Sequence, residues 1–399
     1  RVQEVRDEVE LLRKSIYKLY PPEKHGHGEV LHRAKTHVAE YLLTKSYELS
    51  PAKLKVRELE DMLILLNSAA RLKPSHALKS RIEKEEANLR EAKKSNKISI
   101  WWSYLASLGE EISSKVFYRR FRSKLSSTDF SSIHTTPDWN HPEVKSGVSS
   151  DPETIASEQE SYYKMLFGHK PSVRPGRMLA LLREKQINKG RAKRMEEPLT
   201  GKEISEAIGR QAKGKSPGPD HLPAELYKDF EHLVAQPLLD TFTEAHHKGS
   251  LVEALRQGDV TLHYKKGDPR EIRNYRPITL LNVDYKILAH VLVKRLKTVM
   301  DDIISKEQLG FVPGREISES TLFLKLVQAK LEEDDLEGII VACDWEKAFD
   351  RVSWDYLHQA TEALGFGPYM CSWLKVLYNT DAPPQRCIKS NGSATISER

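Results

Sequence analysis

The chain has 399 residues, of which 39% are hydrophobic and 30% are charged, which suits a soluble, helix-rich protein of two or three domains. Lys and Arg exceed Asp and Glu by 63 to 57, a mild excess of +6 that permits a polyanionic partner without requiring one. No apolar run approaches the roughly 20 residues that span a bilayer, and the three cysteines lack the spacing of a zinc site or disulfide framework. A reducing compartment is therefore expected, and the start at Arg1 indicates a fragment, a processed product or an incomplete translation.

Residues 1–124 are predicted to form a helical N-terminal region. In "VQEVRDEVELLRKSIYKLY" apolar residues recur every three or four positions, which puts Val5, Val9 and Ile16 on one helical face. A later stretch interleaves aromatic residues with arginines: Trp101, Trp102, Phe117, Tyr118, Arg119, Arg120 and Arg122. That pattern suits base stacking with phosphate neutralisation, and it equally suits an amphipathic helix that packs its rings inward.

Residues 125–195 are predicted to be a linker plus a basic helix. The first part, 125–152, is rich in Ser, Thr, Asp and Pro. "KGRAKR" (189–194) can be an RNA contact or a nuclear-import patch, although such charge runs are more often solvated surface. Thr200 and Glu203 then form a capping box that predicts the start of a helix.

From residue 196 onward short strands alternate with helices, which indicates an α+β domain. Strands are predicted at 259–264 and 338–344, and helices at 284–300, 318–333, 353–364 and 367–379. The second strand, "GIIVACD", is a continuous apolar run, so it is predicted to be covered on both faces.

That second strand would end on a carboxylate, Asp344. A buried acid is costly without a partner. Mg²⁺ is one such partner, because it prefers hard oxygen ligands together with substrate phosphates; an Asp that caps the next turn is the alternative. Phe349 follows five residues later, where a ring can lie under a nucleotide sugar or belong to a core.

The stretch "ACDWEKAFDRV" (342–352) resembles motif A of reverse transcriptases, specifically those of LINE-type non-LTR retrotransposons. Three further stretches resemble blocks of the same family in the same order: "KGKSPGPDHLPAELYKDF" (213–230), "LHYKKGDPREIRNYRPITLLNVDYKILAHVLVKRL" (262–296) and "IISKEQLGFVPGREISEST" (303–321). The resemblance implies that 196–399 is a partial reverse transcriptase domain, the fingers and first part of the palm of a right-hand polymerase.

The resemblance also implies roles for motif A. Asp344 would be the catalytic metal ligand for Mg²⁺, with the Trp345 carbonyl as a second ligand. Lys347 and Ala348 would present backbone N–H groups to the incoming nucleotide. Phe349 would select the deoxy sugar, because a rigid ring there clashes with a ribose 2′-OH.

In "LHYKKGDPREIRNYRP" a turn at Gly267 and Pro269 separates two extended arms. The resemblance assigns Lys265 and Arg276, one on each arm, to the triphosphate of a nucleotide, for which lysine and arginine are suited. Without the resemblance, the default would be a charged hairpin that faces solvent.

Two other blocks carry weaker expectations. In "EQLGFVPGR", Gln308, Gly310 and Arg315 are assigned to template binding, against the alternative of a surface loop. The family usually has glycine where this chain has His221, so a left-handed backbone there would be strained. Asp301 and Asp302 resemble the family's second acidic site, but they precede motif A and are expected on a solvated helix end.

The intact parent would be an RNA-directed DNA polymerase, in which a primer 3′-OH attacks a dNTP with two Mg²⁺ ions. Its partners would be template RNA and primer DNA, in a nuclear and cytoplasmic ribonucleoprotein, with no membrane contact. The chain stops where the family's motif B would begin, so little or no activity is expected of it alone. The alternative function is an RNA- or DNA-binding remnant, or a domesticated scaffold, without turnover.

Overall fold

The computed structural model describes residues 2–49, 62–63, 66, 80–88, 130–136, 145–168, 176–390 and 393–398. The stretch of aromatic residues and arginines between 101 and 122 lies outside these residues, so its two interpretations stay predictions. Within the described part, no helix combines the length and apolar character needed to cross a membrane.

Helices are the commoner element of the described residues. In chain order they are α1 (Val2–Leu19), α2 (Pro22–His25), α3 (His27–Leu49), α4 (Pro152–Phe167), α5 (Gly176–Arg183), α6 (Lys189–Met195), α7 (Gly201–Arg210), α8 (Ala224–Asp229), α9 (Glu231–Lys248), α10 (Glu253–Arg256), α11 (Val283–Lys297), α12 (Met300–Ile303), α13 (Ile317–Glu333), α14 (Trp354–Ala363) and α15 (Pro368–Leu377). The strands are β1 (Ile133–Thr135), β2 (Gly147–Ser149), β3 (Gln257–Tyr264), β4 (Tyr275–Leu281), β5 (Gln385–Ser390) and β6 (Ser393–Glu398).

The chain divides into two compact units, residues 1–127 with 212–234, and residues 128–211 with 235–399. These bounds differ from the division predicted from sequence, at 124 and 195. The block that contains "SPGPD" groups with the N-terminal helices, whereas the basic helix α6 groups with the following α+β segment. Composition changes along the chain do not reveal such exchanges, because they arise from contacts between distant segments.

In the first unit, α1 buries the apolar face that its sequence predicts: Val5, Val9 and Ile16 are all buried. The helix α3 contributes Lys35, whose amine lies 2.6 Å from the carboxylate of Asp220. Both of these side chains are nearly buried. This ion pair ties the "SPGPD" block to the N-terminal helices.

The turn at His221 has the backbone strain that the sequence suggested. His221 has φ of 58° and donates its N–H to the Gly218 carbonyl at 3.0 Å. Asp220 accepts a hydrogen bond from the Leu222 N–H at 3.0 Å. A left-handed conformation costs a residue with a Cβ atom roughly 1–2 kcal/mol, which is the physical reason for glycine at such a position.

The second unit is organised by a four-stranded sheet in the order β4-β3-β5-β6. The strand β3 pairs with β4 in antiparallel fashion and with β5 in parallel fashion, so that Val260 lies opposite both Thr279 and Ile388. The helix α4 covers this sheet with Tyr163 and Leu166, which are fully buried in the same core cluster. The predicted strand at 259–264 is thereby confirmed as part of β3.

Arg295 of α11 holds several elements of this unit together. Its guanidinium donates to both carboxylate oxygens of Glu203 at 2.8 and 2.7 Å, and to the carbonyls of Met195 and Pro198 at 3.2 and 3.0 Å. Glu203 closes the capping box with Thr200, as predicted. Burial alone would raise the pKa of Glu203, but the hydrogen bonds and charge of Arg295 hold it below its ordinary value.

The helices predicted from sequence are confirmed as α11, α13, α14 and α15. The predicted buried strand at 338–344 is wrong, because these residues have no regular secondary structure. Ile339, Ile340 and Val341 are 92%, 65% and 76% exposed. A strand that is apolar on both faces needs neighbouring strands and covering layers, and no strand of the described sheet pairs with this run.

Replacing Arg295 by methionine is expected to destabilise the protein by about 3 kcal/mol, because Glu203 would keep a largely buried charge without its partner. Urea-induced unfolding followed by circular dichroism measures this loss. Lys294→Met is the matched control, since it removes the neighbouring but more exposed ion pair with Glu206 and should cost less than about 1 kcal/mol. Equal losses in the two variants would contradict the role given to Arg295.

Replacing His221 by glycine is expected to raise the free energy of unfolding of the first unit by about 0.5–1 kcal/mol, because glycine adopts a positive φ without strain. The greater flexibility of glycine in the unfolded chain offsets part of this gain. Thermal unfolding is the measurement. His221→Ala keeps the Cβ atom and should give no such gain. A stabilised alanine variant would show that the histidine ring, and not the backbone, is the source of strain.

Candidate functional site

The hairpin of β3 and β4 places two cations on one face. His263 pairs with Arg276, and the Lys265 N–H donates to the Asn274 carbonyl at 2.9 Å just beyond the last pair. Opposite residues in an antiparallel pair share a face, and so do alternate residues of one strand. Lys265 and Arg276 therefore lie on the same face, and both are exposed.

The tip of this hairpin is braced by its own side chains. Asp268 accepts two hydrogen bonds from the Arg270 guanidinium at 3.0 and 2.9 Å, and these hold the pKa of Asp268 far below its ordinary value. Asn274 donates to the Asp268 carbonyl at 3.0 Å. Gly267 has φ of 95°, and a Cβ atom there would lie 2.6 Å from the Asn274 amide nitrogen, so the turn requires glycine. The two cations thus project from a fixed scaffold.

The segment that resembles motif A meets this hairpin through Lys347. The Lys347 amine donates to the Tyr275 carbonyl at 2.9 Å. Burial lowers the pKa of Lys347, and the nearby charges of Lys265 and Arg276 lower it further, whereas Asp350 opposes the shift. The structure therefore brings together three cations that are far apart in sequence: Lys265, Arg276 and Lys347.

Four other predicted residues lie on the same segment and are exposed: Asp344, Trp345, Ala348 and Phe349. The Phe349 ring is 87% exposed. Among the described residues, no three His, Cys, Asp or Glu side chains group closely enough to hold a metal ion by themselves. Asp344 supplies one accessible carboxylate, which fits the small protein share of a Mg²⁺ shell completed by water and substrate phosphates, but does not make a metal site alone.

Beside Phe349 lies a cavity of about 210 Å³. Its lining includes Asp350, Tyr285 and Arg386. The Arg386 guanidinium lies 4.0 Å from the centre of the Phe167 ring, and burial lowers its pKa although the charge of Asp350 acts against this. Burial also raises the pKa of Tyr285 to about 12.

Sequence reasoning did not assign Arg386 or Asp350 to a site. Asp350 was visible as the acid after Phe349, so its position next to motif A was the available signal. Arg386 had no comparable signal, because it reaches the cavity through the parallel pairing of β5 with β3, in which Arg386 lies opposite Gly258.

The predicted template-binding residues form a loop of their own. The Gln308 amide donates to the Gly310 carbonyl at 3.0 Å, and Arg315 donates to the carbonyls of Gln308 and Ile304 at 2.7 and 3.2 Å. The Arg315 side chain is only 13% exposed, so its guanidinium braces the loop in this structure. Among the described residues, no hydrogen bond or ion pair joins this loop to the three cations.

The two acids that resemble a second acidic site have separate roles. Both lie in the short helix α12, as expected for a helix end, and Asp301 is exposed. Asp302 is not simply solvated, because it pairs with Arg191 of α6 at 3.0 Å and accepts the Asn188 N–H at 3.2 Å. Part of the basic "KGRAKR" run is thereby used to hold α6 in place.

Comparison with known proteins shows which family this region matches. Residues 264–398 match the family model described as reverse transcriptase (RNA-dependent DNA polymerase). The chain is 35% identical over 246 residues to the "Transposon TX1 uncharacterized 149 kDa protein" of Xenopus laevis, covering 61% of this chain and 18% of that protein. It is 31% identical over 163 residues to the "Retrovirus-related Pol polyprotein from type-1 retrotransposable element R1" of Bradysia coprophila, covering 38% of this chain and 15% of that protein.

The chain thus spans less than a fifth of the length of these curated relatives, at 18% and 15%. The matches confirm the resemblance drawn from the ordered sequence blocks. They also agree with the α+β architecture of the described residues, which combine two small sheets with many helices.

Proposed function

We propose that this chain, whose residues 264–398 belong to the reverse transcriptase family of non-LTR retrotransposons, is part of an enzyme that copies an RNA template into DNA from deoxynucleoside triphosphates. The observation that carries the proposal is the cluster of Lys265, Arg276 and Lys347. Within it, Lys347 follows Asp344 by three positions in the sequence. Lys265 and Arg276 share an exposed face of a fixed hairpin and Lys347 is held against its second strand, so an anion of high charge would be attracted there. A nucleotide triphosphate is such an anion.

The triphosphate would be held by the hairpin and by the backbone of motif A. Arg276 offers a planar fork for phosphate oxygens and Lys265 offers a mobile point charge. The N–H groups of Lys347 and Ala348 donate to no acceptor among the described residues, so both are available to phosphate. Positive side chains and backbone donors would then converge on one ligand from two segments of the chain.

Phe349 would discriminate between sugars. Its ring is exposed and lies two residues from Lys347, so a nucleotide held by the cations can reach it. A ring packed against the sugar leaves no room for a 2′-hydroxyl group, and a clash of that kind rejects ribonucleotides.

A divalent metal ion, for which Mg²⁺ is our proposal, would be held by Asp344 with the Trp345 carbonyl and the substrate phosphates. When bound, it would stabilise charge on the phosphoryl group under transfer. The chain's own contribution is to fix the triphosphate with Lys265 and Arg276 and to place an acceptor carboxylate beside it. The template RNA would contact the loop of Gln308 and Gly310 through the backbone, because the Arg315 side chain is engaged inside that loop.

Addition of Mg²⁺ and dNTPs to a primed RNA template tests this function, with the 399-residue chain and with a chain extended to the length of its relatives. Asp344→Asn is expected to lower dNTP incorporation by the active form by roughly 10³-fold, because loss of a metal ligand removes several kcal/mol of transition-state stabilisation. Asp301→Asn is the matched control and should retain activity. If neither form incorporates dNTPs while salt-sensitive RNA binding persists, the chain is a nucleic-acid-binding protein without turnover.

Phe349→Ala in an active form is expected to relax the discrimination against ribonucleotides, because the smaller side chain leaves room for the 2′-hydroxyl group. The ratio of kcat/KM for a dNTP and its matching rNTP measures the effect, and a fall of roughly tenfold or more is expected. Trp345→Ala, which removes an exposed ring from the same segment, should leave the ratio unchanged. An unaltered ratio in Phe349→Ala would refute the role of this ring.

A further inference from the structure

The proposed function uses the charge and the backbone N–H of Lys347, and the structure also gives the Lys347 amine a defined contact. The segment before it is exposed from Ile339 to Trp345. Lys347 is the residue at which this segment becomes partly buried, and its amine reaches the Tyr275 carbonyl at 2.9 Å. That carbonyl belongs to the peptide bond that joins Tyr275 to Arg276, so the contact is one peptide unit away from a proposed triphosphate ligand.

Two costs make this contact informative. Lys347 has φ of 51°, a strained conformation that residues with a Cβ atom rarely adopt. Burial also disfavours its charged amine, and Lys265 and Arg276 add a repulsion that is smaller than the attraction of Asp350 and Glu346. Glycine or asparagine would satisfy the backbone at lower cost. A lysine in a strained turn, whose partly buried amine reaches a backbone carbonyl of another segment, indicates that the side chain itself is used.

The position of Tyr275 explains what the contact would achieve. The Tyr275 ring is anchored in the core, 4.3 Å from the centre of the Phe130 ring, and its hydroxyl donates to the Pro269 carbonyl at 2.8 Å. The carbonyl that accepts from Lys347 is therefore part of a rigid strand. The turn after Lys347 is closed by the N–H groups of Asp350 and Arg351, which donate to the Lys347 carbonyl at 3.0 and 3.1 Å.

We infer that Lys347 is a positioning residue whose side chain fastens the turn 346–351 onto β4. Through this fastening it sets the distance between Asp344 and Phe349 on one segment and Lys265 and Arg276 on the other. The inference rests on the proposed function for its catalytic consequence, but the fastening itself is a property of the chain with or without catalysis. Lys265 and Arg276, both exposed, would then be held at a fixed distance from motif A for the polyphosphate of a nucleotide.

Hydrogen–deuterium exchange of the 399-residue chain tests the fastening directly. Lys347→Asn accepts a positive φ but cannot reach the Tyr275 carbonyl. It is expected to raise the exchange of the hydrogen-bonded amides of Asp350 and Arg351 roughly tenfold or more, because a hydrogen bond from a charged donor that holds the turn is lost. Lys347→Arg keeps the donor and should restore most of the protection. Lys265→Met is the matched control, which removes a cation of the same cluster and should leave exchange in the turn unchanged.

If the side chain had no role, Lys347→Asn would relieve backbone strain and the turn would exchange as slowly as in the wild type or more slowly, which would overturn the inference. In a form that polymerises, Lys347→Asn should raise the KM for dNTP roughly tenfold and Lys347→Arg should reverse this. If Lys347→Asn increases exchange but no form of the chain incorporates dNTPs, the positioning role of Lys347 stands and the proposed function is refuted. If the chain incorporates dNTPs but Lys347→Asn leaves exchange unchanged, the positioning role is refuted and the proposed function stands.

Discussion

The pairing of β3 with β4 is the constraint on which the candidate site depends. This register places Lys265 and Arg276 on the exposed face of the hairpin while Tyr275 enters the core on the other face. Side chains alternate between faces along a strand, so a slip of one residue would exchange the two sets, burying the cations and exposing the tyrosine. The same strand β3 also pairs with β5, so the register of the hairpin is fixed from both sides.

The hairpin is rigid and the segment that meets it is not covered. The tip is held by Asp268, Arg270 and Asn274, whereas α13 buries none of its residues and the apolar run that follows it is exposed. The Lys347 amine donates a hydrogen bond to the Tyr275 carbonyl and so joins the motif A segment to β4. This contact links the segment of Asp344 and Phe349 to the strand that carries Arg276.

Elsewhere in the second unit, charge is used for packing and not for ligand binding. Arg295 links Glu203 to the carbonyls that precede α7, and Arg191 pairs with Asp302. Arg315 likewise donates hydrogen bonds within the loop that was predicted to bind the template. In each case a guanidinium donates hydrogen bonds to backbone carbonyls or to a carboxylate of a neighbouring element. The contrast with exposed Lys265 and Arg276 is what distinguishes the candidate site from structural arginines.

The sequence by itself determined the features that depend on neighbouring residues. Periodicity predicted the buried face of α1, and the capping box predicted the start of α7. The turn residues predicted the hairpin, and the order of the motif blocks indicated the family. Only the tertiary structure decided that 338–344 stays unpaired, that Lys347 contacts Tyr275 and that Arg386 lies over Phe167. The reason is that periodicity and caps report interactions within a few residues, whereas strand pairing and side-chain contacts across the sheet join segments tens to hundreds of residues apart.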